Sequence, residues 1–314
     1  MRWSSPHLPL LLLLFLFSFL TTLVGGFKIC AYNVQQFNSA KASNSRVLHT
    51  VMRIVARCDI CLLQEVMDPD GRVIKALLVS LNREIDRYDD YSYKSVSSKS
   101  LGNSANNMQQ YVFIYRTDTV NVTAQHQYQK KQSFVREPFA VQFESAKTAI
   151  KKFILIPLHT DPGQAIKEID RLYDVFEEVS KKWKNTNVMF LGDFHAGCAY
   201  LTRTNKKSIR LFTNSAFSWL IGDKVDTTVN DETNCAYDRI VVHGKTFLKA
   251  ISPFSAKVFN YPKEFKLTRS TARGISDSLP LEVTLKSSAL LLQATPLLIL
   301  ITVSAIVQSF LSAL

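Results

Sequence analysis

The stretch Val188-Met189-Phe190-Leu191-Gly192-Asp193-Phe194-His195-Ala196 is the segment that points most directly to a fold. Four apolar residues in succession, with no polar residue between them, are typical of a strand buried on both faces. Strands of this kind present functional residues at their C-terminal ends, so Asp193 is expected at the mouth of a sheet. A strand followed by Gly-Asp is also a common structural turn, and the stretch alone leaves that alternative open.

Several other strand-like segments also end in an acid, an amide or an imidazole. Residues 27–32 read as a short strand, residues 60–63 are apolar, and the apolar residues from about Asn44 to Val55 have helical spacing, which predicts a strand-helix-strand unit with a parallel crossover. This unit places Asn33 and Glu65 at the same edge of the sheet. The polar residues expected at strand edges are Asn33, Glu65, His159, Asp193, His195, Asp238 and Asp277.

This set of residue types indicates metal-assisted hydrolysis if its members share one pocket. Carboxylates at one edge repel each other unless a cation or a proton lies between them, and oxygen ligands suit Mg²⁺ or Ca²⁺. An imidazole that acts as general base beside such a metal serves phosphodiester hydrolysis best. A single His or Asp after a strand is more often structural, so the hypothesis depends on their meeting.

The two ends of the chain read as targeting segments around one folded part. Residues 1–26 have a positive start, an apolar middle and small residues at the end, which predicts a secretory signal peptide. Residues 287–314 lack charged side chains and predict either a lipid-anchor signal that is removed or a membrane tail that stays. Both alternatives put the folded domain, residues 27–286, on the lumenal or extracellular side, at the cell surface or on an endomembrane.

The chain is basic, with 38 Lys and Arg against 26 Asp and Glu. A polyanionic partner and a generic solvated face explain this excess equally well, because charge alone does not choose between them. The basic residues cluster at Lys130-Lys131, Lys151-Lys152, Lys181-Lys182 with Lys184, and Arg203, Lys206, Lys207 and Arg210.

The five cysteines belong to a chain expected in an oxidising compartment. Cys198 and Cys235 lie in turn-rich sequence and are expected to pair. Cys30, Cys58 and Cys61 lie in apolar, strand-like segments and are expected to be buried thiols. The sequon at Asn121 predicts a glycan on an exposed edge.

At these positions the sequence resembles the deoxyribonuclease I family, from about residue 27 to residue 285. The segments that carry the resemblance are Phe27-Lys28-Ile29-Cys30-Ala31-Tyr32-Asn33, Leu63-Gln64-Glu65-Val66, Arg136-Glu137-Pro138, Pro157-Leu158-His159-Thr160, Leu191-Gly192-Asp193-Phe194 and Cys235-Ala236-Tyr237-Asp238-Arg239-Ile240. The hydrophobic tail is most like that of the deoxyribonuclease-1-like 1 branch. The resemblance implies a two-sheet α/β sandwich of the endonuclease/exonuclease/phosphatase type that cuts DNA with Mg²⁺ and Ca²⁺.

The resemblance also implies a role for each matching residue. Asn33, Glu65, Asp193 and Asp277 would surround the metal and the scissile phosphate, with the three carboxylates as metal ligands. His159 would be a catalytic imidazole, Asp238 a site carboxylate and Arg136 a phosphate contact. The family's disulfide matches Cys198 with Cys235.

Four positions depart from the family pattern. Gln109 replaces the Glu that orients the histidine matching His159, and Ser278 replaces a second catalytic His. Ser278 cannot act as a general acid or base near neutral pH. His195 replaces an Asn that contacts phosphate, and Met67 stands where some members have an Arg that enters the DNA groove. One hypothesis is that His195 takes over the missing imidazole's role or binds the metal, which would favour Mn²⁺ or Zn²⁺ over Mg²⁺.

Two functions therefore compete. The first is a metal-dependent DNA endonuclease, tethered or secreted, with activity reduced by Gln109 and Ser278. The second is a catalytically inactive relative that binds DNA or a protein partner at the cell surface. A monomer is expected, with DNA as the partner and the membrane contacted through the tail; actin binding stays open.

Overall fold

A computed structural model describes residues 26–85, 92–130, 133–230 and 232–288, together with residue 304. The predicted signal peptide, apart from Gly26, and almost all of the predicted tail lie outside these residues. Among the described residues, no helix combines the length and the hydropathy needed to cross a bilayer.

The described residues form twelve strands and nine α-helices. The strands are β1 (Phe27–Phe37), β2 (Ile60–Val66), β3 (Tyr93–Ser97), β4 (Gln110–Arg116), β5 (Asn121–Gln127), β6 (Phe139–Glu144), β7 (Lys152–Pro157), β8 (Val188–Asp193), β9 (Phe217–Trp219), β10 (Asp238–His243), β11 (Lys257–Val258) and β12 (Leu281–Leu285). The helices are α1 (Ser39–Ser43), α2 (Ser45–Val55), α3 (Arg72–Ile85), α4 (Ala165–Trp183), α5 (Arg203–Lys206), α6 (Arg210–Thr213), α7 (Lys245–Ala250), α8 (Tyr261–Glu264) and α9 (Arg269–Arg273), with a 3₁₀ turn at Ala105–Asn107.

The strands form two mixed sheets with the same internal plan. The first sheet has the order β11-β12-β1-β2-β4-β3 and the second β5-β6-β7-β8-β10-β9. Each sheet has one parallel pair near its centre, β1 with β2 and β7 with β8, while the other pairs are antiparallel. The C-terminal ends of two parallel strands meet at one edge, so each sheet presents one such edge.

The core has three apolar layers, which explains why the central strands are buried on both faces. One cluster lies between the sheets and includes Phe143, Phe153 and Leu191. A second joins the first sheet to α2 and α3, and a third joins the second sheet to α4. The α/β sandwich expected from the sequence is confirmed.

The strand-helix-strand unit is confirmed as well. Helix α2 begins after Asn44, whose Oδ1 accepts hydrogen bonds from the Arg46 and Val47 amides at 3.0 and 3.3 Å. This is an N-cap, which satisfies donors that the first helical turn leaves unpaired. Helix α2 then returns the chain so that β2 pairs with β1 in parallel, with Asn33 opposite Gln64.

The cysteine assignment from sequence is half right. Cys198 and Cys235 form a disulfide, as expected. The prediction that Cys30 and Cys58 are buried thiols is wrong, because these two residues form a second disulfide. Cys58 lies three residues after the end of α2, in the apolar cluster that α2 shares with β1, and its Cα atom is 6.1 Å from that of Cys30, within the range that a disulfide spans. Cys61 is a free, buried thiol, as predicted. Two disulfides are typical of secreted or extracellular proteins.

The cysteine pairing can be checked by alkylation without a reductant. We expect a thiol reagent added after unfolding to modify Cys61 alone, because the other four sulfur atoms are bonded to each other. Peptide mapping by mass spectrometry measures the label. Modification of Cys30 or Cys58 would contradict the second disulfide, and the same mapping after reduction, where all five should be labelled, is the control.

The predicted glycosylation site lies on an edge. Asn121 is exposed at the start of β5, which is the outermost strand of the second sheet. This position is accessible to the glycosylation machinery, and the glycan itself stays a prediction.

Candidate active site

A buried amide joins the two sheets at the edge where the parallel strands end. Gln64 Nε2, on β2, donates to the Leu158 carbonyl oxygen at 2.8 Å, and Gln64 Oε1 accepts from the Asp193 amide at 2.9 Å. Gly192 makes room for this bridge, since a Cβ atom there would lie 2.5 Å from Gln64 Nε2 and its φ is +127°. Glu65 follows Gln64, His159 follows Leu158, and Asp193 is itself a partner of the bridge. The bridge therefore fixes the relative positions of these three residues.

Asn33 holds two of the predicted metal-binding carboxylates together. Its Nδ2 donates to Glu65 Oε1 at 3.0 Å and to Asp193 Oδ2 at 3.2 Å. Glu65 Oε2 also accepts from the Gln36 amide at 3.0 Å. The backbone of Glu65 has φ +57°, in the left-handed region that non-glycine residues rarely adopt, and this turns its side chain toward Asn33. Burial raises the pKa of Glu65, and Asp277 and Asp193 raise it further by charge repulsion.

Two more predicted carboxylates complete the acidic side of the site. Asp238 lies opposite Asp193 in the β8–β10 pairing, and Asp277 accepts a hydrogen bond from Gln35 Nε2 at 3.0 Å. Burial, followed by repulsion from Asp193, raises the pKa of Asp238 well above its ordinary value and also raises that of Asp277. The Oδ2 atom of Asp238 is buried and has no hydrogen-bond partner among the described residues.

The four carboxylates and their surroundings fit a divalent cation. Carboxylates that repel one another are stabilised by a positive ion between them, and the unpartnered buried oxygen of Asp238 is costly without one. Mg²⁺ prefers oxygen ligands, and the ligand role expected for Glu65, Asp193 and Asp277 stays a prediction.

His159 lies between the acidic side and its predicted partner. Its Nδ1 is 3.0 Å from Gln109 Oε1, and its Nε2 is 3.6 Å from Glu65 Oε1. An amide oxygen accepts but cannot donate, so the Nδ1–H tautomer is the one that this contact selects, with the Nε2 lone pair toward Glu65. Burial lowers the pKa of His159 to about 3, and the neutral amide of Gln109 adds no charge that would raise it.

His195 lies beside His159 rather than at the position of the missing histidine. The two rings are nearly parallel, with centroids 5.9 Å apart. His195 Nδ1 is 3.3 Å from Asp193 Oδ1 and 3.1 Å from Thr160 Oγ1. Its backbone φ of +47° turns the side chain back over the strand end, and the His195 amide donates to Asp193 Oδ1 at 3.1 Å.

Ser278 lies at the acidic side, but its hydroxyl cannot supply the acid-base chemistry of an imidazole. Its Oγ is 3.4 Å from Asp277 Oδ1, and its amide donates to Ser276 Oγ at 3.0 Å. Met67, at the end of β2, is partly exposed and offers no charge to a ligand.

Arg136 supplies unpaired cationic donors near His159. Tyr111 connects the two residues, because its hydroxyl accepts from the His159 amide at 2.9 Å and donates to the Arg136 carbonyl oxygen at 3.3 Å. Arg136 Nη2 donates to Asn107 Oδ1 at 2.8 Å, whereas its Nε and Nη1 atoms are buried without a hydrogen-bond partner among the described residues. Free donors on a guanidinium are suited to a phosphate group.

Glu168 is a supporting residue that sequence reasoning missed. It lies in the first turn of α4, is buried, and accepts from the Val135 amide at 2.7 Å and from the Asp161 amide at 3.1 Å. These contacts tie the segment before Arg136 to the segment after His159. The apolar positions at helical spacing identify only the core face of α4. The one available signal was that Glu168 lies among these core positions, where a carboxylate needs hydrogen-bond donors.

Family comparison agrees with this geometry. The Endonuclease/Exonuclease/phosphatase family model matches residues 30–277. Human deoxyribonuclease gamma is 41% identical over 266 residues, with 83% of this chain and 86% of that protein covered. Human deoxyribonuclease-1-like 1 is 41% identical over 284 residues, with 90% and 91% covered. The chain belongs to the deoxyribonuclease I family. The resemblance read from the motifs is thereby confirmed.

Solved structures support the family's fold at lower identity. Truncated Caenorhabditis elegans TDP2 aligns with a TM-score of 0.55 and 15% identity, covering 83% of this chain and 97% of that chain. The human Nocturnin catalytic domain aligns with a TM-score of 0.55 and 13% identity, covering 84% and 95%. At these identities the likeness concerns the two-sheet sandwich.

The effect of the neutral Gln109 side chain on the pKa of His159 can be tested by substitution. We expect Gln109→Glu to raise the pKa of His159 by roughly 1 to 3, because a carboxylate next to Nδ1 stabilises the imidazolium. Titration of the ring by NMR measures the value. Gln110→Glu is the matched control, since neighbouring residues of a strand face opposite sides. A His159 pKa that is the same with Gln and Glu at position 109 would contradict this account.

Glu168 makes a separate prediction about pH. Burial raises the pKa of Glu168 in the folded state to about 7, from an ordinary value of 4.5. Between these two pKa values the folded protein holds a proton that the unfolded chain has released. The contribution of protonated Glu168 to the unfolding free energy is therefore complete below the unfolded pKa and is lost as pH rises through about 7. We expect Glu168→Gln to reduce the fall in unfolding free energy between about pH 5 and pH 7.5 by about 2 kcal/mol. Denaturant unfolding measures it, with Glu177→Gln on the exposed face of α4 as control. Equal pH dependence in all three proteins would refute the assignment.

Proposed function

We propose that this protein is a metal-dependent endonuclease that hydrolyses DNA phosphodiester bonds, at a rate reduced by Gln109 and Ser278. The observation that carries the proposal is the meeting of Glu65, His159 and Asp193 around the Gln64 bridge. The relatives named deoxyribonucleases support DNA as the substrate.

The oxygen side of the site is proposed to bind Mg²⁺ through Glu65, Asp193 and Asp277, with Asn33 orienting two of these carboxylates. A bound divalent ion would polarise the phosphate and offset the charge that develops during hydrolysis. Ca²⁺ is the second ion that the family resemblance implies, and Mn²⁺ or Zn²⁺ are alternatives that the nitrogen donor of His195 would favour.

His159 is proposed to take the proton of the attacking water through Nε2. The contact between Nδ1 and Gln109 places the proton on Nδ1, so Nε2 is unprotonated and faces the pocket. Because burial lowers the pKa of His159 to about 3, it is a weak base near neutral pH, and proton removal is slow. Arg136 and Asn33 are proposed to hold the phosphate while this happens.

Because Ser278 stands in place of the family's second catalytic histidine, no imidazole is proposed to protonate the leaving oxygen. Ser278 stands at the relevant position, and Asp238 keeps an unpartnered oxygen. Loss of general acid-base help costs roughly 100- to 10,000-fold for each group, so cleavage well below that of an intact site is expected.

The basic clusters contribute unequally to the proposed DNA contact. Arg210 is paired with Asp170 and Asp174, and Lys206 with Asp223, which reduces the charge available from the cluster at residues 203–210. Lys181 and Lys182 at the end of α4 have no carboxylate partner within hydrogen-bonding distance among the described residues, and Lys131 lies outside them. We propose secretion into an oxidising compartment, with residues 287–314 as an anchor or its signal and a monomeric domain.

Plasmid nicking by the full chain tests the proposal. In Mg²⁺ we expect slow nicking by the wild type, at least about 100-fold slower nicking by Glu65→Gln, and a rate raised roughly 100- to 10,000-fold for each group restored by Gln109→Glu with Ser278→His. Gel analysis of supercoiled and relaxed DNA gives these rates.

His49→Asn, a change on the exposed face of α2, is the control and should leave the rate unchanged. If the wild type is inactive and the double variant is active, the protein is instead an inactive relative that binds DNA or a protein partner. If both are inactive, the geometry described here does not support nuclease chemistry.

A further inference from the structure

The two imidazoles next to Asp193 form a donor set that differs from the oxygen side of the pocket. His159, Asp193 and His195 each offer one ligand atom, and these atoms all lie within 4.8 Å of one another. His159 follows β7 and Asp193 ends β8, so the parallel pairing brings the first two together. The turn after β8 adds His195.

The geometry is close to that of a three-ligand metal site. Metal–ligand bonds of roughly 2.0–2.2 Å place tetrahedral donors about 3.4 Å apart. The distance of 3.3 Å between Asp193 Oδ1 and His195 Nδ1 already matches this spacing. His159 has to approach by about 1.5 Å at most to reach the same spacing.

The surroundings of the imidazoles also suit a metal. Gln109 Oε1 accepts from Nδ1 of His159, which fixes the tautomer with a free Nε2, and such an outer contact is usual for histidine ligands. Tyr200 and Tyr237 pack against the His195 ring with centroids 5.3 and 5.6 Å away, which limits its rotation. The ligand side chains keep 7–15% of their exposure, so an ion can enter and a water molecule can fill an open position.

We propose that His159, Asp193 and His195 bind a first-row transition metal ion of the Zn²⁺ class, in a site that shares Asp193 with the oxygen side and adds two nitrogen ligands to it. Imidazole favours these ions, whereas Mg²⁺ favours carboxylates and water. Asp193 lies between the two halves, since its Oδ2 contacts Asn33 and its Oδ1 contacts His195. The inference deepens the proposed function, on which it rests only for treating this pocket as the reaction site.

Occupancy of this site and general-base action by His159 exclude each other, because both use the same nitrogen lone pair. The metal would therefore control whether His159 is available. His195 is what makes the site possible, since an Asn at this position, as in the family pattern, supplies no imidazole.

Metal titration without DNA tests the site directly. The full chain, freed of metal with a chelator, is titrated with Co²⁺, whose visible absorption reports nitrogen and oxygen coordination, and Zn²⁺ is then added in competition. We expect one Co²⁺ per chain, displaced by Zn²⁺. His195→Asn should abolish the absorption band and weaken Zn²⁺ binding by at least about 100-fold. This variant carries the family's own residue, so it is expected to fold, and circular dichroism checks that.

His49→Asn is the matched control, because it removes an exposed imidazole from α2. It should bind Co²⁺ and Zn²⁺ as the wild type does. Equal Zn²⁺ affinity in wild type and His195→Asn, or no stoichiometric binding by the wild type, overturns the site. Since DNA is absent, a protein that binds Co²⁺ but does not nick plasmid in Mg²⁺ would refute the proposed function and leave the metal site standing.

Discussion

The bridge made by the Gln64 side chain is the contact on which the site depends. It joins β2 of one sheet to the ends of β7 and β8 of the other, through one donated and one accepted hydrogen bond. A buried amide with both groups satisfied is stable, whereas a broken bridge would leave buried polar atoms unpaired. Because Glu65, His159 and Asp193 lie at its contact points, the distance between the sheets sets the dimensions of the pocket.

Electrostatics then explains why this pocket suits a cation. Asp238 is buried, Glu65 is partly buried and Asp277 is the most exposed of the three. Loss of solvent raises the pKa of each carboxyl, and repulsion among the carboxylates raises it further. Gln109 is neutral and adds no charge beside His159. Asp238 Oδ2 has no hydrogen-bond partner among the described residues, and the Lys41 cation lowers the pKa of Asp277.

Much of the fold and part of the site could be predicted from local sequence. An apolar run followed by a polar residue identifies Asn33, Glu65, His159 and Asp193, although β1 continues to Phe37, so Asn33 lies within its strand and not at its end. The Cys30–Cys58 disulfide could not be predicted, since both residues have apolar neighbours and only the packing of α2 beside β1 brings them together. Glu168 was missed for a similar reason: its two backbone partners come from segments 33 and 7 residues away.

The sequence by itself determined the first strand-helix-strand unit and the membership in a nuclease family, because these follow from residue type, spacing and motifs. The tertiary structure alone decided that His195 lies over Asp193 and beside His159 rather than near Ser278. The physical reason is the left-handed backbone at His195 together with the parallel pairing of β7 and β8. Neither the turn's direction nor the distance between two strand ends is encoded in the residue types that flank them.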